Sequence, residues 1–102
     1  MSEGRTVQLR RYRIVEGQLD DFVAWWRDRL LPARLAFGFT LDSALIVPET
    51  DEFVWSVSVD GDEEALARLD AAWTASPERA AAFDGVPQRV ASMDLRIAVP
   101  AV

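Results

Sequence analysis

The sequence predicts an α+β domain in which a four-stranded antiparallel sheet carries its helices on one face. Three observations lead to this prediction. Strand-like and helix-like segments follow one another in the order β-α-β-β-α-β, only a short turn separates the two middle strands, and 102 residues are about one domain's worth. We therefore expect a single domain over residues 1–102.

The first strand is predicted over residues 7–15, a segment rich in β-branched and aromatic residues. Its alternation is imperfect, because arginines fall on both faces. Arg11 and Arg13 share one face, while Arg10 lies on the other with Tyr12. Either a bulge near Arg10 and Arg11 repairs the pattern, or both faces of the strand are partly buried.

A long amphipathic helix is predicted over residues 18–37. Its apolar residues recur at steps of three and four, which places them on one helical face: Leu19, Phe22, Trp26, Leu30, Ala33 and Phe37. Pro32 conflicts with this pattern, because it removes a backbone donor and its ring clashes with the carbonyl of Asp28. We expect a kink or a break there.

The two middle strands are predicted over residues 39–47 and 52–60. The turn Pro48–Asp51 between them is short, so the two should form an antiparallel hairpin. In the second of these strands, apolar and polar residues alternate cleanly, which indicates one buried face.

The second half of the chain contains two capped helices and a last strand. Asp62 is a suitable N-cap for a helix that runs to about Ala75, and Ser76 with Pro77 starts a second, shorter helix. The last strand is predicted over residues 88–99.

This order of elements is the ferredoxin-like plan, in which both helices of the β-α-β-β-α-β order pack on the same face of the sheet. The other face is half apolar and too large to leave in water. We therefore expect a homodimer in which two sheets pack face to face as a dimeric α/β barrel.

The composition excludes several kinds of chemistry. All 11 basic residues are Arg, and the chain has no Lys, His, Cys or Asn. Thiolate nucleophiles, Ser–His triads, zinc sites made of His or Cys, Schiff-base lysines and the usual His or Cys ligands of haem are therefore absent. We expect no metal and no cofactor, and any chemistry must come from Arg, Tyr, Asp and Glu.

The net charge of −6 argues against nucleic acid as a partner, because such binding relies on neutralising phosphates. No apolar run reaches the ~18–20 residues of a membrane span, and the N-terminus does not look like a signal peptide, so we expect a cytoplasmic protein without a membrane partner. Residues 1–15 carry a net charge of +3 and residues 42–70 a net charge of −8. These segments either pair, within a subunit or across a dimer, or form a basic strand beside a solvated acidic face.

Several short patterns together resemble the NIPSNAP family, within the dimeric α/β-barrel superfamily. They span residues 7–83 and are Leu9-Arg10-Arg11-Tyr12, Gly17, Leu19, Trp26, Leu31-Pro32, Gly38-Phe39, Glu52-Phe53-Val54-Trp55, Trp73 and Pro77-Glu78. The resemblance implies a dimeric barrel. It also implies a proline tolerated late in the first helix.

One position departs from the family's pattern. Members often carry a polar residue, commonly His, before the Gly-Phe pair, whereas this chain has Phe37. Relatives in the wider superfamily include cofactor-free oxygenases, haem-handling enzymes, and isomerases or cyclases of bacterial secondary metabolism. No catalytic motif carries over from them residue by residue.

Three residues are candidates for catalysis. Tyr12 can donate a proton and Arg11 can stabilise an anionic or enolate oxygen. Asp42 interrupts an apolar strand, and a buried carboxylate there would have a raised pKa suited to acid–base work. The alternatives are a tyrosine packed under a helix, arginines in inter-strand ion pairs, and an Asp42 that faces water on an edge strand.

Six residues are candidates for binding a substrate. Arg10, Arg13 and Arg96 lie on strands that could share a polar layer, and Trp26, Trp55 and Trp73 could wall a pocket for an aromatic ligand. The alternatives are a hydrogen-bonded network at a dimer interface and tryptophans that are simply core. Trp25 and Trp26 point about 100° apart on the helix, so only one of them can face the main core.

Two kinds of function fit these residues. The first is a metal-free enzyme of bacterial secondary metabolism, of the isomerase, cyclase or cofactor-free oxygenase type, that acts on an apolar or aromatic small molecule. The second is a non-catalytic binding or interaction module.

Overall fold

The computed structural model describes residues 4–102, and its elements follow the predicted order. The strands are β1 (Arg5–Ile14), β2 (Thr40–Val47), β3 (Glu52–Asp60) and β4 (Val90–Ala98). The helices are α1 (Leu19–Trp25), α2 (Leu31–Phe37), α3 (Glu63–Thr74) and α4 (Pro77–Phe83). A π-helical segment (Trp26–Leu30) joins α1 to α2, and a 3-10 turn (Pro48–Thr50) joins β2 to β3.

The four strands form one antiparallel sheet in the order β2-β3-β1-β4. The middle strands in sequence pair as the predicted hairpin, and β1 lies between β3 and β4. We call the face that the helices cover the inner face; on β1 it carries the even-numbered residues from Thr6 to Ile14, which are all buried. The other face is called the outer face. The predicted α+β, ferredoxin-like architecture is confirmed.

Of the two alternatives for β1, the bulge near Arg10 and Arg11 is not formed. Pairing between β1 and β3 is regular from Arg5 to Arg13, and pairing with β4 shifts only between Arg13 and Ile14. The irregular sequence pattern has another cause, since the inner face of β1 is polar at one end and apolar at the other. Its buried polar residues are Thr6, Gln8 and Arg10.

Pro32 neither breaks the first helix nor leaves it regular. The N–H of Leu31 donates to the carbonyl of Trp26, five residues back, so the turn before the proline is a wide π turn. In the segment that follows, Arg34 is buried, while Ala33 is only half-buried.

The caps predicted for the later helices are present. The Asp62 side chain accepts a hydrogen bond from the Ala65 N–H (2.9 Å), and Ser76 Oγ accepts one from the Arg79 N–H (3.0 Å). The restart at Ser76 sets α4 against the first helix. The Phe83 ring consequently lies 5.0 Å from that of Trp25, measured between ring centroids.

The basic first strand pairs with the acidic segment within one chain. Arg11 Nε lies 3.0 Å from a carboxylate oxygen of Glu52, and Arg5 lies 3.5 Å from Asp60 and 3.7 Å from Asp42. Within residues 4–102, no helix combines the length and the apolar character that a membrane crossing needs.

Candidate functional site

A cavity of about 390 Å³ lies between the inner face of the sheet and the helices. This volume is within the range of small-molecule sites, roughly 300–1,000 Å³. Residues from β1, the first helix, α3, α4 and β4 line it: Arg10, Tyr12, Phe22, Trp25, Leu30, Arg34, Asp70, Trp73, Thr74, Arg79, Phe83, Gln88, Val90, Met93 and Leu95. The lining combines aromatic walls with a few converging polar groups.

A wider groove of about 1,030 Å³ lies where the end of the chain passes the turn between β3 and α3. Its lining includes Asp60, Asp62 and Arg68 but no aromatic residue. Its charged groups are solvated at the surface, so the inner cavity is the better candidate site.

Tyr12 and Arg10 form a hydrogen-bonded pair on the inner face of β1. Arg10 Nε donates to the Tyr12 hydroxyl oxygen (2.7 Å), and Arg10 Nη1 donates to the side-chain oxygen of Gln8. Because the Tyr12 oxygen acts as an acceptor in this bond, its hydroxyl proton is available for a molecule in the cavity. The pair can therefore offer both a proton and a positive charge to one ligand oxygen.

Arg34 enters the cavity from α2, opposite the sheet. Its guanidinium carbon lies 4.7 Å from the ring centroid of Phe39, 5.2 Å from that of Trp73 and 5.4 Å from that of Trp55. These rings attract the cation through their faces. Within residues 4–102, however, Nε and Nη1 of Arg34 have no hydrogen-bond partner.

The electrostatics of Arg34 reflect this isolation. Burial first, and then the positive charge of Arg10, lower the pKa of Arg34 to about 10, against smaller opposing effects of Tyr12 and Asp70. A pKa of about 10 still leaves the guanidinium protonated at neutral pH. Arg34 is therefore a buried charge held without an ion-pair partner among the described residues.

Three of the sequence candidates line this cavity. Tyr12 and Arg10 are the pair on β1, and Trp73 forms a wall on α3. Phe37, at the position where the family pattern often has a polar residue, packs its ring against Trp73 at 5.4 Å between centroids.

The other arginine candidates lie elsewhere. Arg11 and Arg13 are on the outer face of β1, because adjacent residues of a strand point to opposite faces. Arg11 is paired with Glu52, which raises the pKa of Arg11 and lowers that of Glu52 to about 2. Arg96 lies on the same outer face and pairs with Asp94 at 3.2 Å. The expected grouping of Arg11 with Tyr12 at one site is therefore not formed within the chain.

Asp42 is not a buried carboxylate. It lies at the irregularity in the pairing of the edge strand β2, between Leu41 and Ser43, and is exposed. Its carboxylate is 3.7 Å from Arg5 Nε, and it is not among the residues that line the cavity. The edge-strand alternative describes its position.

The remaining tryptophans divide between core and cavity. Trp26 and Trp55 are buried in the core and do not line the cavity. Trp55 nevertheless lies beneath both inner arginines, with Arg10 at 5.3 Å and Arg34 at 5.4 Å from its ring centroid. Trp25 lines the cavity, and its indole N–H donates to the Ala82 carbonyl (2.9 Å).

Arg34 is the main functional candidate that the sequence reading missed. Its signal was present, since it follows Trp26 and Leu30 at steps of four and so continues a buried stripe. A charged residue on a buried stripe is a candidate functional residue, because burying a charge is costly. No group of three or more metal-ligating side chains was found among residues 4–102.

The fold and cavity define a ferredoxin-like α+β domain with a candidate site between the sheet and the helices. The sequence matches no protein-family model and no curated protein.

The structure is nevertheless similar to solved structures, and the predicted resemblance is confirmed at the level of the fold. A NIPSNAP family protein of unknown function from Agrobacterium tumefaciens has a TM-score of 0.84 at 15% identity, covering 97% of this chain and 90% of that one. An uncharacterized NIPSNAP domain protein from Burkholderia xenovorans has a TM-score of 0.81 at 19% identity, covering 94% of each chain. A candidate antibiotic biosynthesis monooxygenase from Nitrosomonas europaea has a TM-score of 0.69 at 12% identity, covering 99% of this chain and 94% of that one.

Proposed function

We propose that this protein binds an apolar or aromatic small molecule in the inner cavity. The observation that carries the proposal is the cavity itself, whose aromatic walls surround the hydrogen-bonded pair of Arg10 and Tyr12. A polar pair of this kind, placed at the edge of an apolar space, orients a ligand that the walls bind by burial of apolar surface.

The pair also suggests the chemistry. A ligand enolate oxygen near Tyr12 would accept its hydroxyl proton, and the Arg10 guanidinium, which donates to the Tyr12 oxygen, would stabilise the negative charge left on Tyr12. This arrangement suits proton transfer, as in an isomerisation or cyclisation, and requires no metal. Arginine side chains are poor bases, so Arg10 contributes positive charge rather than accepting a proton.

Binding can be tested with 2-naphthol, a neutral aromatic probe, by isothermal titration calorimetry. We expect Thr74→Trp, which adds a large side chain to an exposed residue of the lining, to weaken binding at least tenfold. Ala72→Trp is the matched control on an exposed position of the same helix outside the lining. Equal affinities for both variants and the wild type would show that the probe binds elsewhere.

A cofactor-free oxygenase is the second candidate, because the fold is also similar to that of the candidate monooxygenase from Nitrosomonas europaea. The discriminating assay is oxygen uptake with a dihydroxy-aromatic substrate. Uptake that depends on Tyr12 supports this activity. Binding without turnover favours the non-catalytic binding module, with which Phe37 in place of a polar residue agrees.

We further propose that the protein is a homodimer joined through the outer face. The described residues place no helix over that face, and its apolar residues include the exposed Leu9 and Leu45. A face of this kind is expected to be covered by a second copy of the sheet. Light scattering should give twice the chain mass of 11.4 kDa. A cytoplasmic location is a separate proposal, which the sequence alone supports.

A further inference from the structure

The inner cavity contains a positive charge that the chain leaves unbalanced. Three arginines line it (Arg10, Arg34 and Arg79) against one carboxylate, Asp70. This excess of +2 occurs in a chain whose net charge is −6. Neither Arg10 nor Arg34 takes part in an ion pair within the described residues.

Arg34 is the strongest part of this feature. It is only 4% exposed, and two of its nitrogens lack a hydrogen-bond partner among residues 4–102. Buried charges in proteins are normally paired or hydrogen-bonded, so an unpaired one at a cavity requires an explanation. Aromatic rings surround the guanidinium carbon, but Nε and Nη1 of its edge have no acceptor among residues 4–102.

Arg10 reaches the same region from the sheet. Its guanidinium and that of Arg34 both lie within 5.4 Å of the Trp55 ring centroid. Two like charges that both contact the Trp55 ring favour a ligand that carries the opposite charge. The remaining charged groups of the lining do not cancel them, because Arg79 adds to the positive charge and Asp70 is not within ion-pair distance of either arginine.

We infer that the ligand is an anion: an apolar or aromatic molecule with a carboxylate that Arg34 binds, assisted by Arg10. The planar guanidinium edge matches the two oxygens of a carboxylate. The walls formed by Phe22, Trp73 and Leu30 would contact the rest of the molecule. This inference rests on the proposed function, since it needs the cavity to be a ligand site.

The test compares two probes of similar size by isothermal titration calorimetry at pH 7: 2-naphthoate, an anion, and 2-naphthamide, its neutral analogue. Only the naphthoate can form a hydrogen bond between two charged groups with Arg34. We therefore expect the wild type to bind the naphthoate about 10- to 100-fold more tightly than the naphthamide. Arg34→Met should abolish that preference, so that both probes bind with similar affinity. Arg27→Met, which removes an exposed arginine from the same helix, should retain the preference.

Each outcome decides a different point. Equal affinity of the wild type for both probes would overturn the anion subsite while the cavity remained a ligand site. A naphthoate preference that survives in Arg34→Met would also overturn the assignment. Failure of both probes and of 2-naphthol to bind would overturn the proposed function itself. The comparison on the wild type stands even where a variant fails to fold.

Discussion

Replacing Arg34 by methionine should make the free protein more stable. The substitution keeps an unbranched side chain among the rings of Phe39, Trp55 and Trp73 but removes a buried charge. Most substitutions of buried residues destabilise a domain, so a gain in the free energy of unfolding would be an unusual and informative result.

The magnitude follows from the pKa of Arg34. The lowering of the Arg34 pKa to about 10 disfavours the charged form by about 3 kcal/mol. In the wild type, cation–π contacts with the aromatic neighbours offset part of this cost, at roughly 0.5–2 kcal/mol for each contact. In the variant, methionine would replace them with sulfur–aromatic contacts of roughly 0.3–1.5 kcal/mol each. We expect a net gain of about 1–2 kcal/mol in the free energy of unfolding. Each kcal/mol corresponds to a rise in Tm of roughly 4–8 °C.

The assay is thermal and urea unfolding followed by circular dichroism at pH 7 and fixed protein concentration. Arg27→Met is the control, and its effect should stay within about 0.5 kcal/mol because Arg27 is exposed. Above pH 10 the unfolded chain binds more protons at Arg34 than the folded chain does. The difference in the free energy of unfolding between wild type and Arg34→Met should therefore narrow as the pH rises above 10. A loss of more than about 1 kcal/mol in Arg34→Met would refute the reasoning.

Three further predictions concern the sheet. Tyr12→Phe removes the acceptor of a buried Arg10 N–H and should lower the free energy of unfolding by about 1–3 kcal/mol in urea; a loss under about 0.5 kcal/mol would contradict this role. The pKa of Glu52 is lowered to about 2, chiefly by the hydrogen bond from its arginine partner. The stability advantage of wild type over Glu52→Gln should therefore be full above pH 4.5 and disappear as the pH falls towards 2, whereas a pH-independent difference in Tm would contradict the ion pair. Leu9→Asp on the outer face should give a monomer by light scattering while Leu35→Asp, equally exposed on α2, stays dimeric; a dimeric Leu9→Asp would contradict the proposed interface.

Much of the fold could be predicted because its signals are local. The alternation in β3, the caps Asp62 and Ser76, and the short turn between the middle strands each depend on neighbouring residues. The sequence also shows the proline in the first helix, but it does not show how the helix accommodates that proline. Whether the chain kinks, breaks or forms a π turn depends on how the helix packs against the sheet.

The site could be predicted only in part. Tyr12 and Arg10 share a strand face, so alternation alone brings them together. Arg11 has the residue type that such a site needs, but its odd-numbered position on the strand directs it to the outer face. The environment of Arg34 is built from β3, α3 and Phe39, which directly precedes β2. No local pattern shows that rings from such separate parts of the chain surround one guanidinium.

The claim that the inner cavity is a ligand site is tested most directly by nuclear magnetic resonance of the indole N–H groups. The four tryptophans give one signal each, and the Trp73 N–H is buried at the cavity without an acceptor among the described residues. On titration with 2-naphthoate, we predict large shifts of the Trp73 and Trp25 signals and a small shift for Trp26, which lies in the core. Saturable binding that leaves Trp73 and Trp25 unmoved would contradict the account.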